Sequence, residues 1–477
     1  MSSGHVPQSM KAAIVKPRLK KQGMDPDDTN SYRPISNLSF ISKVLEKLVA
    51  VRVNAHMTEN NLHEEHQSAY KIGCSTETAL VKVKADILRA FDKREGVLMV
   101  MLDLSAAFDT VCHQKLREVL KARIGLEGRC LDWFKSYLSD RSQTVSFGEE
   151  AACECLVSRG VPQGSVLGPM LFTIYTLALG DIARAHGVSV HFYADDTQPY
   201  SSTSSFSISD DTSVAVSAIE ACVASVREWM RQNCLQLNDT KTEVICFSTK
   251  QSRFDPSDLE ITVGQALIAP SPRVKNLGVM FDEHLAMNDF VVQTCRACYL
   301  HLRDIAAISN ALSRPAREQL VHSLISSRLD YCNVLLAGAP AYLLKKLQRV
   351  QNMAARVVLR SSKWSSATAN LKQLHWLPVR ERIQFKTLLL AYKALHGMGP
   401  KYLTGMLTWH HPARALRLAE FPALEVPGYK TKYGQTTWGV QAAALWNALP
   451  HEVSGAETVT SFKKRLKTHL ILTAFID

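Results

Sequence analysis

The sequence predicts an α+β chain whose C-terminal part is mainly helical. Three observations carry this expectation. Short apolar runs with strand character stand at 96–102, 188–192 and 244–247. Stretches with apolar residues three and four apart, at 39–57, 76–93, 113–140 and 214–232, alternate with them as amphipathic helices. Beyond residue 290 the helical spacing dominates.

At 477 residues the chain has room for two or three domains with their own cores. A hydrophobic content of 46% with 21% charged residues describes a globular chain rather than a disordered one. The opening residues Met1 to Pro7 contain no apolar signal core. The most apolar central run, 170–179, is too short to span a bilayer and holds Thr173 and Thr176, so no membrane partner is expected. The 11 cysteines lack framework spacing and read as reduced thiols, which suits the nucleus and cytoplasm. Cys153-x-Cys155 and Cys295-x-x-Cys298 have no matching His or Cys pair at zinc-finger spacing. His56, His63 and His66 read as surface residues. The formal charge of +12 is uneven: residues 291–477 carry 25 Lys and Arg against 9 Asp and Glu, a balance of +16, which leaves −4 for the rest. A basic C-terminal half beside an acidic, metal-seeking half suits a polyanionic partner.

Taken in order, residues 11–21 read as an extended segment with basic residues around Pro17. In Ser31-Tyr32-Arg33-Pro34-Ile35-Ser36, Pro34 holds Arg33 extended, its side chain free to reach a ligand. Lys20, Lys21 and Arg33 are candidate phosphate clamps. Ile41, Val44, Leu45, Leu48 and Val49 recur at helix spacing in 39–57. Ser75 or Thr76 caps the next helix, which has Leu80, Val83, Ile87 and Phe91 on one face. Gly96 opens an apolar strand that ends at Asp103. The small residues Ser105, Ala106 and Ala107 after it would let a phosphate approach backbone N–H groups. Residues 113–140 read as helical, with Trp133, Phe134, Tyr137 and Leu138 in the core. The stretch from Gly160 to Pro169 is a glycine–proline turn before a buried helix at 170–180. Gly164 and Gly168 in it would permit close approach of a nucleotide or nucleic-acid backbone.

Val188, Val190 and Phe192 alternate into Tyr193-Ala194-Asp195-Asp196, after which the chain turns polar toward Gln198-Pro199. The pattern is strand, acidic turn, strand. Two adjacent carboxylates repel each other and attract cations. Hard divalent ions take oxygen ligands and also bind substrate phosphates. Asp103 supplies a second acid at the end of another strand. A Ser/Thr-rich loop at 201–213 leads to the helix at 214–232. Lys241 then precedes the strand at 244–247, and 273–285, with Val274, Leu277, Val279 and Phe281, reads as a small hairpin. In 341–360, Leu343, Leu347, Val350, Ala354, Val357 and Val358 form an apolar face. Lys345, Arg349, Arg356 and Arg360 fall within roughly 60° on the opposite side, a face that suits a phosphate backbone. Residues 400–435 are rich in turn formers and poorly patterned.

These pieces follow one another in an order that resembles the reverse transcriptases of non-LTR (LINE-type, jockey- or CR1-like) retrotransposons. The resemblance rests on Ser31-Tyr32-Arg33-Pro34-Ile35-Ser36, Asp103-Leu104-Ser105-Ala106-Ala107-Phe108-Asp109-Thr110, Gly160-Val161-Pro162-Gln163-Gly164-Ser165-Val166-Leu167-Gly168-Pro169 and Tyr193-Ala194-Asp195-Asp196. It covers residues 11–285, and 290–477 resembles a thumb and C-terminal region. It implies a right-hand polymerase fold: fingers at 1–95, palm with part of the fingers at 96–285, a helical thumb at 286–365, and a C-terminal region at 366–477. The reaction implied is template-directed addition of dNTPs to a primer 3′-OH, with an RNA template and a DNA primer as partners.

By the same resemblance two Mg2+ ions, with Mn2+ as the substitute, would sit on Asp103, Asp195 and Asp196, about 3.5–4 Å apart. The Leu104 carbonyl would be a further ligand. Lys20 or Lys21 with Arg33 would hold the phosphates. Gln163 and Gly164 would support the incoming nucleotide, and Phe108 would pack beneath its sugar. Lys241 would protonate the leaving pyrophosphate. Residues 274–281 resemble a primer grip. No endonuclease stretch precedes these motifs and no Cys/His knuckle follows, so the chain resembles a fragment of a longer product. Group II intron enzymes can also carry Tyr-Ala-Asp-Asp, whereas viral RNA polymerases more typically place Gly before the paired acids. The reading from a different class is an inactive retroelement remnant that binds RNA.

Overall fold

A computed structural model describes residues 4–21, 23–105, 107–203, 209–252, 259–410 and 423–475. Ala106, residues 204–208 of the Ser/Thr-rich loop and part of 400–435 lie outside the described residues. Two sheets organise the N-terminal half. The first has the order β2-β1-β5-β6, with β7 also on β5: β1 is Ala12–Leu19, β2 Tyr32–Asn37, β5 Arg141–Phe147, β6 Glu150–Ala151 and β7 Cys155–Val157. The second has the order β11-β3-β9-β8: β3 is Gly96–Met101, β8 Ser189–Tyr193, β9 Asp196–Thr203 and β11 Glu243–Phe247. Short two-stranded pairs complete the β structure. They are β4 (Leu104–Ser105) with β10 (Gln236–Leu237), β12 (Ile261–Val263) with β13 (Ala266–Ile268), and β14 (Arg273–Asn276) with β15 (Val279–Asp282).

The second sheet explains why its strands read as unbroken apolar runs. On β3, Val97 and Met99 point into a core shared with α2 (Thr76–Asp92), while Leu98 and Val100 point into a core shared with α7 (Ser209–Gln232). Both faces are covered and every residue of the strand but the half-buried Met101 is buried, so none need be polar. Ser75 caps α2 as expected, in a reciprocal capping box with Thr78.

The segment read as one helix at 113–140 is two, α3 (His113–Ala122) and α4 (Gly128–Leu138). Gly125 takes a φ of +73° between them and turns the chain. Trp133, Phe134, Tyr137 and Leu138 are buried as predicted.

Helix α1 (Phe40–Glu59) forms with Ser39 as its N-cap, but the face expected to be buried is not the one that is. Val49, Val53 and Met57 are buried together with Ser42 and Glu46, whereas Ile41, Val44 and Leu48 are exposed. The reason is Glu46. Its carboxylate accepts from the backbone N–H groups of Val166 and Leu167 at the start of α5 (Leu167–Tyr175), at 2.6 and 3.1 Å. An acid at a helix N-terminus satisfies orphan donors and the dipole, so the polar stripe turns inward. Helix α6 (Ala178–Ala185) follows α5.

Beyond the β14–β15 hairpin the described chain is helical: α8 (Asn288–Ile308), α9 (Arg314–Val321), α10 (Ser327–Asp330), α11 (Ala341–Leu359), α12 (Ala367–Gln373), α13 (Val379–Leu395), α14 (Lys401–Thr404), α15 (Lys432–Gln435), α16 (Trp438–Asn447), α17 (His451–Ser454) and α18 (Val459–Phe475). These helices share one continuous core with α2 and β3, through residues such as Leu343, Tyr392, Trp446 and Phe462. No described helix is long and apolar enough to cross a membrane.

Candidate active site

Strand register builds the site. On β3 and β9, Met99 pairs with Tyr200, and the isolated Leu102–Thr197 bridge keeps the same register. Carried one residue further, it sets Asp103 opposite Asp196. On the other edge of β3, Glu243 pairs with Met101, and the same count sets Lys241 opposite Asp103. The side chains follow the register: Lys241 Nζ lies 3.0 Å from Asp103 Oδ2. Asp103 thus stands between a cation on one side and a like charge on the other. Directly opposed like charges destabilise a sheet, so this end of β3 is electrostatically incomplete.

Tyr193 pairs with Asp196, leaving Ala194 and Asp195 as a two-residue turn. Ala194 adopts a φ of +58°, a left-handed conformation that costs a non-glycine residue about 1–2 kcal/mol. Burial raises the Asp195 carboxyl above the usual carboxylate range, with Asp103 adding to the effect and Arg33 and Lys241 opposing it. Asp196 is pushed up to about 6, first by burial and then by Asp195 and Asp103. A cavity of about 360 Å³ opens here, lined among others by Asp103, Asp196, Gln198, Thr240, Lys241 and Lys275.

The donor chemistry fits a hard divalent cation: all three groups are carboxylates, and burial, with the neighbouring acids, raises the pKa of Asp195 and Asp196. Among the described residues, however, no three His, Cys, Asp or Glu side chains converge closely enough to hold an ion as they stand. Asp103 is engaged by Lys241 instead. Leu104 is paired with Leu237 between β4 and β10, and the Asp103 carbonyl accepts from Asn238 N–H at 2.9 Å.

The β1–β2 hairpin supplies cations. Arg33 is exposed on β2 and near enough to Asp195 to act on its ionisation. Register places Arg18 directly opposite Arg33, and both are exposed. Nothing in the sequence marks Arg18 as a site residue. Two facing guanidiniums repel unless an anion lies between them, and only the register, invisible before the hairpin is known, reveals the pair. Lys20 donates to the Asn30 carbonyl at 2.8 Å within the same hairpin, and Lys21 is exposed near its tip.

The Pro162-Gln163-Gly164 turn docks on β2. Ser36 N–H donates to the Gln163 carbonyl at 2.7 Å, and the Gln163 side chain donates to Asp109 at 3.2 Å. The close approach that the glycines permit is the protein's own. A Cβ on Gly164 would lie 2.7 Å from the Ser36 carbonyl oxygen, and one on Gly168 would lie 2.6 Å from Ser165 Oγ. The space a side chain would need at either glycine is taken by the protein itself. Phe108 is half-buried and stacks on Phe172, with ring centroids 4.8 Å apart.

The basic face predicted on α11 is only half as predicted. Lys345 and Arg349 are exposed on the helix. Arg356 is half-buried and donates to the Ser365 carbonyl, and Arg360 lies past the helix end with a φ of +53°, its guanidinium on Asn310. The helix ends one residue too early for the spacing to hold. In their place α8 contributes: Arg296 and Arg303 join Lys346 and Arg349 around a cleft of about 640 Å³ that also exposes Tyr299 and Leu300.

The segment before α2 also reaches the site, with no motif to mark it in the sequence. His66, expected at the surface, is half-buried and stacks on Tyr402. Phe192 N–H donates to the His66 carbonyl at 2.9 Å, and Ser68 N–H donates to the Phe192 carbonyl at 3.0 Å, which lays residues 66–68 beside β8. His191 is fully buried, and burial holds its imidazole neutral, with a pKa of about 3.

Against this geometry, the sequence profile of the family described as "Reverse transcriptase (RNA-dependent DNA polymerase)" matches residues 19–281. The chain is 28% identical over 391 residues to "Probable RNA-directed DNA polymerase from transposon BS" of Drosophila melanogaster, covering 80% of this chain and 42% of that protein. It is 29% identical over 362 residues to the corresponding protein "from transposon X-element" of the same organism, covering 74% of this chain and 38% of that one. A third relative, from mobile element jockey of Drosophila funebris, is 25% identical over 377 residues, covering 77% and 40%. The matches span about two fifths of each relative. With more than half of its length matched by that profile, the chain belongs to the reverse transcriptase family, of the non-LTR kind, and its α+β fold is that of the right-hand polymerases.

Proposed function

We propose that this chain is the polymerising part of an RNA-directed DNA polymerase, which adds dNTPs to a DNA primer 3′-OH under the direction of an RNA template. The observation that carries the proposal is the register of one sheet, in which Asp103 stands between Asp196 and Lys241 at the foot of the Asp195–Asp196 turn. We assign fingers to 1–95, palm with part of the fingers to 96–285, thumb to 286–365 and a C-terminal region to 366–477. Asp103, Asp195 and Asp196, with the Leu104 carbonyl, are the groups that would hold two Mg2+ or Mn2+ ions. Ions bound there lower the pKa of the attacking hydroxyl and neutralise charge on the triphosphate.

The chain's own residues do the rest. Arg33 with Arg18, and Lys20 or Lys21 beside them, hold the triphosphate as charge-assisted donors. Lys241, held beside Asp103, would give its proton to the departing pyrophosphate. Gln163 and Gly164 keep the turn against β2, and Phe108 faces the sugar. Lys345, Arg349 and the α8 cations carry the template–primer backbone. The eleven unpaired cysteines support action in the nucleus and cytoplasm. The test is primer extension on poly(rA)/oligo(dT) with an Asp195→Asn control. Mg2+-dependent extension by the wild type alone is the expected result. Equal inertness of the two proteins leaves the chain as an RNA-binding remnant.

A further inference from the structure

The acidic turn is held from outside its own hairpin. Gln67, only 4% exposed, meets both backbone groups of Ala194 with its side-chain amide. Its Oε1 accepts from Ala194 N–H at 3.1 Å, and its Nε2 donates to the Ala194 carbonyl at 3.3 Å. The same Oε1 accepts from Ala69 N–H at 2.9 Å, which fixes the glutamine to its own segment. The residue gripped is the one whose left-handed backbone forms the turn before Asp195.

The next residue continues the connection into the C-terminal region. Ser68, His191, Tyr402 and Thr78 are all buried, and their polar atoms form a chain. Thr78 Oγ1 donates to the Ser75 carbonyl and accepts from Tyr402 Oη at 3.1 Å. With that proton committed, Ser68 Oγ donates to Tyr402 Oη at 2.7 Å and accepts from His191 Nε2 at 2.9 Å. Every donor has one acceptor, and the chain runs from β8 to residue 402. The loop at 73 is closed against the same region, where a Cβ on Gly73 would meet the Met398 carbonyl oxygen at 2.6 Å.

We propose that Gln67 and Tyr402 are positioning residues for the acidic turn, and that the C-terminal region serves the active site by anchoring the 66–69 segment through the Tyr402 hydroxyl. Neither touches a reacting atom. Their effect on catalysis rests on the polymerase reading above; their effect on the hairpin does not. A side-chain amide that pairs both groups of one peptide residue restricts where the following carboxylates can sit. Catalytic carboxylates lose their effect when displaced by a fraction of an ångström.

The test uses the full chain with Gln67→Met, Tyr402→Phe and, as control, Tyr392→Phe. Tyr392 is a buried C-terminal tyrosine whose hydroxyl donates to the Ala456 carbonyl at 2.6 Å, outside the network. Three readouts are taken: amide hydrogen exchange of residues 188–197, Mn2+ affinity of the protein alone, and steady-state primer extension. Gln67→Met and Tyr402→Phe are expected to speed hairpin exchange and weaken Mn2+ binding about 3- to 10-fold. kcat should fall by at least that factor while KM for primer–template stays put, the pattern of a lost transition-state arrangement. Tyr392→Phe should leave all three unchanged even where it lowers Tm. Unchanged exchange and Mn2+ binding in both network variants, or equal changes in the control, overturns the proposal. If Gln67→Met does not fold, Tyr402→Phe decides alone. A wild type that extends nothing while its hairpin still loosens in the variants sinks the polymerase reading and keeps the buttress.

Discussion

Gln198 and Asn276 form a reciprocal amide pair between β9 and the β14–β15 hairpin. Gln198 Nε2 donates to Asn276 Oδ1 at 2.8 Å, and Asn276 Nδ2 donates to Gln198 Oε1 at 2.9 Å; both side chains are fully buried. The pair ties the hairpin to the strand that carries Asp196. Asn276 closes the turn opposite Val279, where Gly278 takes a φ of +86° and Tyr331 donates to the Leu277 carbonyl at 2.6 Å, so the tip of the hairpin is held by two separate contacts.

Removing one partner strands the other. Asn276→Ala leaves a buried amide unsatisfied, with an expected loss of about 1–3 kcal/mol. Gln198→Leu with Asn276→Leu removes both polar groups and should cost less than the two single changes together. Urea unfolding of the wild type, the two single variants and the double variant gives the coupling. Additive losses would show that the two amides act independently.

Asp196 sets a pH dependence in the metal-free protein. Its folded pKa of about 6 lies above the ordinary carboxylate value of 3.8. Between those values the folded state binds the proton more readily than the unfolded state, so the stability contributed by this group falls as pH rises from about 4 to about 6. Asp196→Asn, which needs no proton to stay neutral, should flatten that slope and stabilise the metal-free protein at about pH 7 by about 1–2 kcal/mol after allowance for partial exposure. Chemical denaturation of both proteins at about pH 4.5 and about pH 7 measures it. An unaltered slope in Asp196→Asn would place the pH dependence elsewhere.

The cations on and beside α8 and α11 divide into two groups with different expectations. Arg296, Arg303, Lys345 and Arg349 are exposed along α8 and α11, whereas Arg356 and Arg360 are turned onto Ser365 and Asn310. Neutralising the first four should flatten the dependence of log K on log salt by about 0.7–0.9 for each phosphate that is no longer neutralised. Arg356→Gln with Arg360→Gln should leave the slope as it is and act through stability. Filter binding of an RNA–DNA hybrid across salt concentrations separates the two, and equal slopes for both sets would sink this assignment.

What is legible in the sequence follows from how locally each feature is encoded. The acidic turn, the apolar strand before Asp103 and the cap at Ser75 depend on neighbours in sequence; the turn and the cap form as read, and the strand forms but ends at Met101, two residues short of Asp103. The buried face of α1 is not legible, because Glu46 answers to α5, more than a hundred residues away, and hydrophobic spacing carries no record of that partner. Strands β5 to β7 leave no apolar alternation, because Arg141 to Phe147 is mostly polar and its pairing with β1 is made by backbone groups that every residue has. Gln67 and Arg18 carry no local signature at all. Each acquires its role only when a sheet sets it beside Ala194 or Arg33.

Phe108 stands where stability and specificity can be told apart. One face of its ring is taken by Phe172, which is fully buried, while the rest of the side chain remains partly accessible, five residues after Asp103. A residue with only a packing role would show a loss in stability and an equal loss in the use of every nucleotide. A residue that fills the space beneath the sugar would change the ratio between nucleotides, because a smaller side chain admits the 2′-hydroxyl. Phe108→Ala is expected to do both in part. Loss of the stacked face should cost about 2 kcal/mol, less than the roughly 3–5 kcal/mol of a fully buried phenylalanine, because the ring is only half-buried. Ribonucleotide incorporation should rise relative to deoxynucleotide by about 10-fold, the equivalent of about 1.4 kcal/mol in discrimination. Single-nucleotide addition with dNTP and rNTP, run beside a thermal melt, reads both numbers from one preparation. A lowered Tm with an unaltered dNTP/rNTP ratio would leave Phe108 as a packing residue and move sugar selection to another side chain of the cavity.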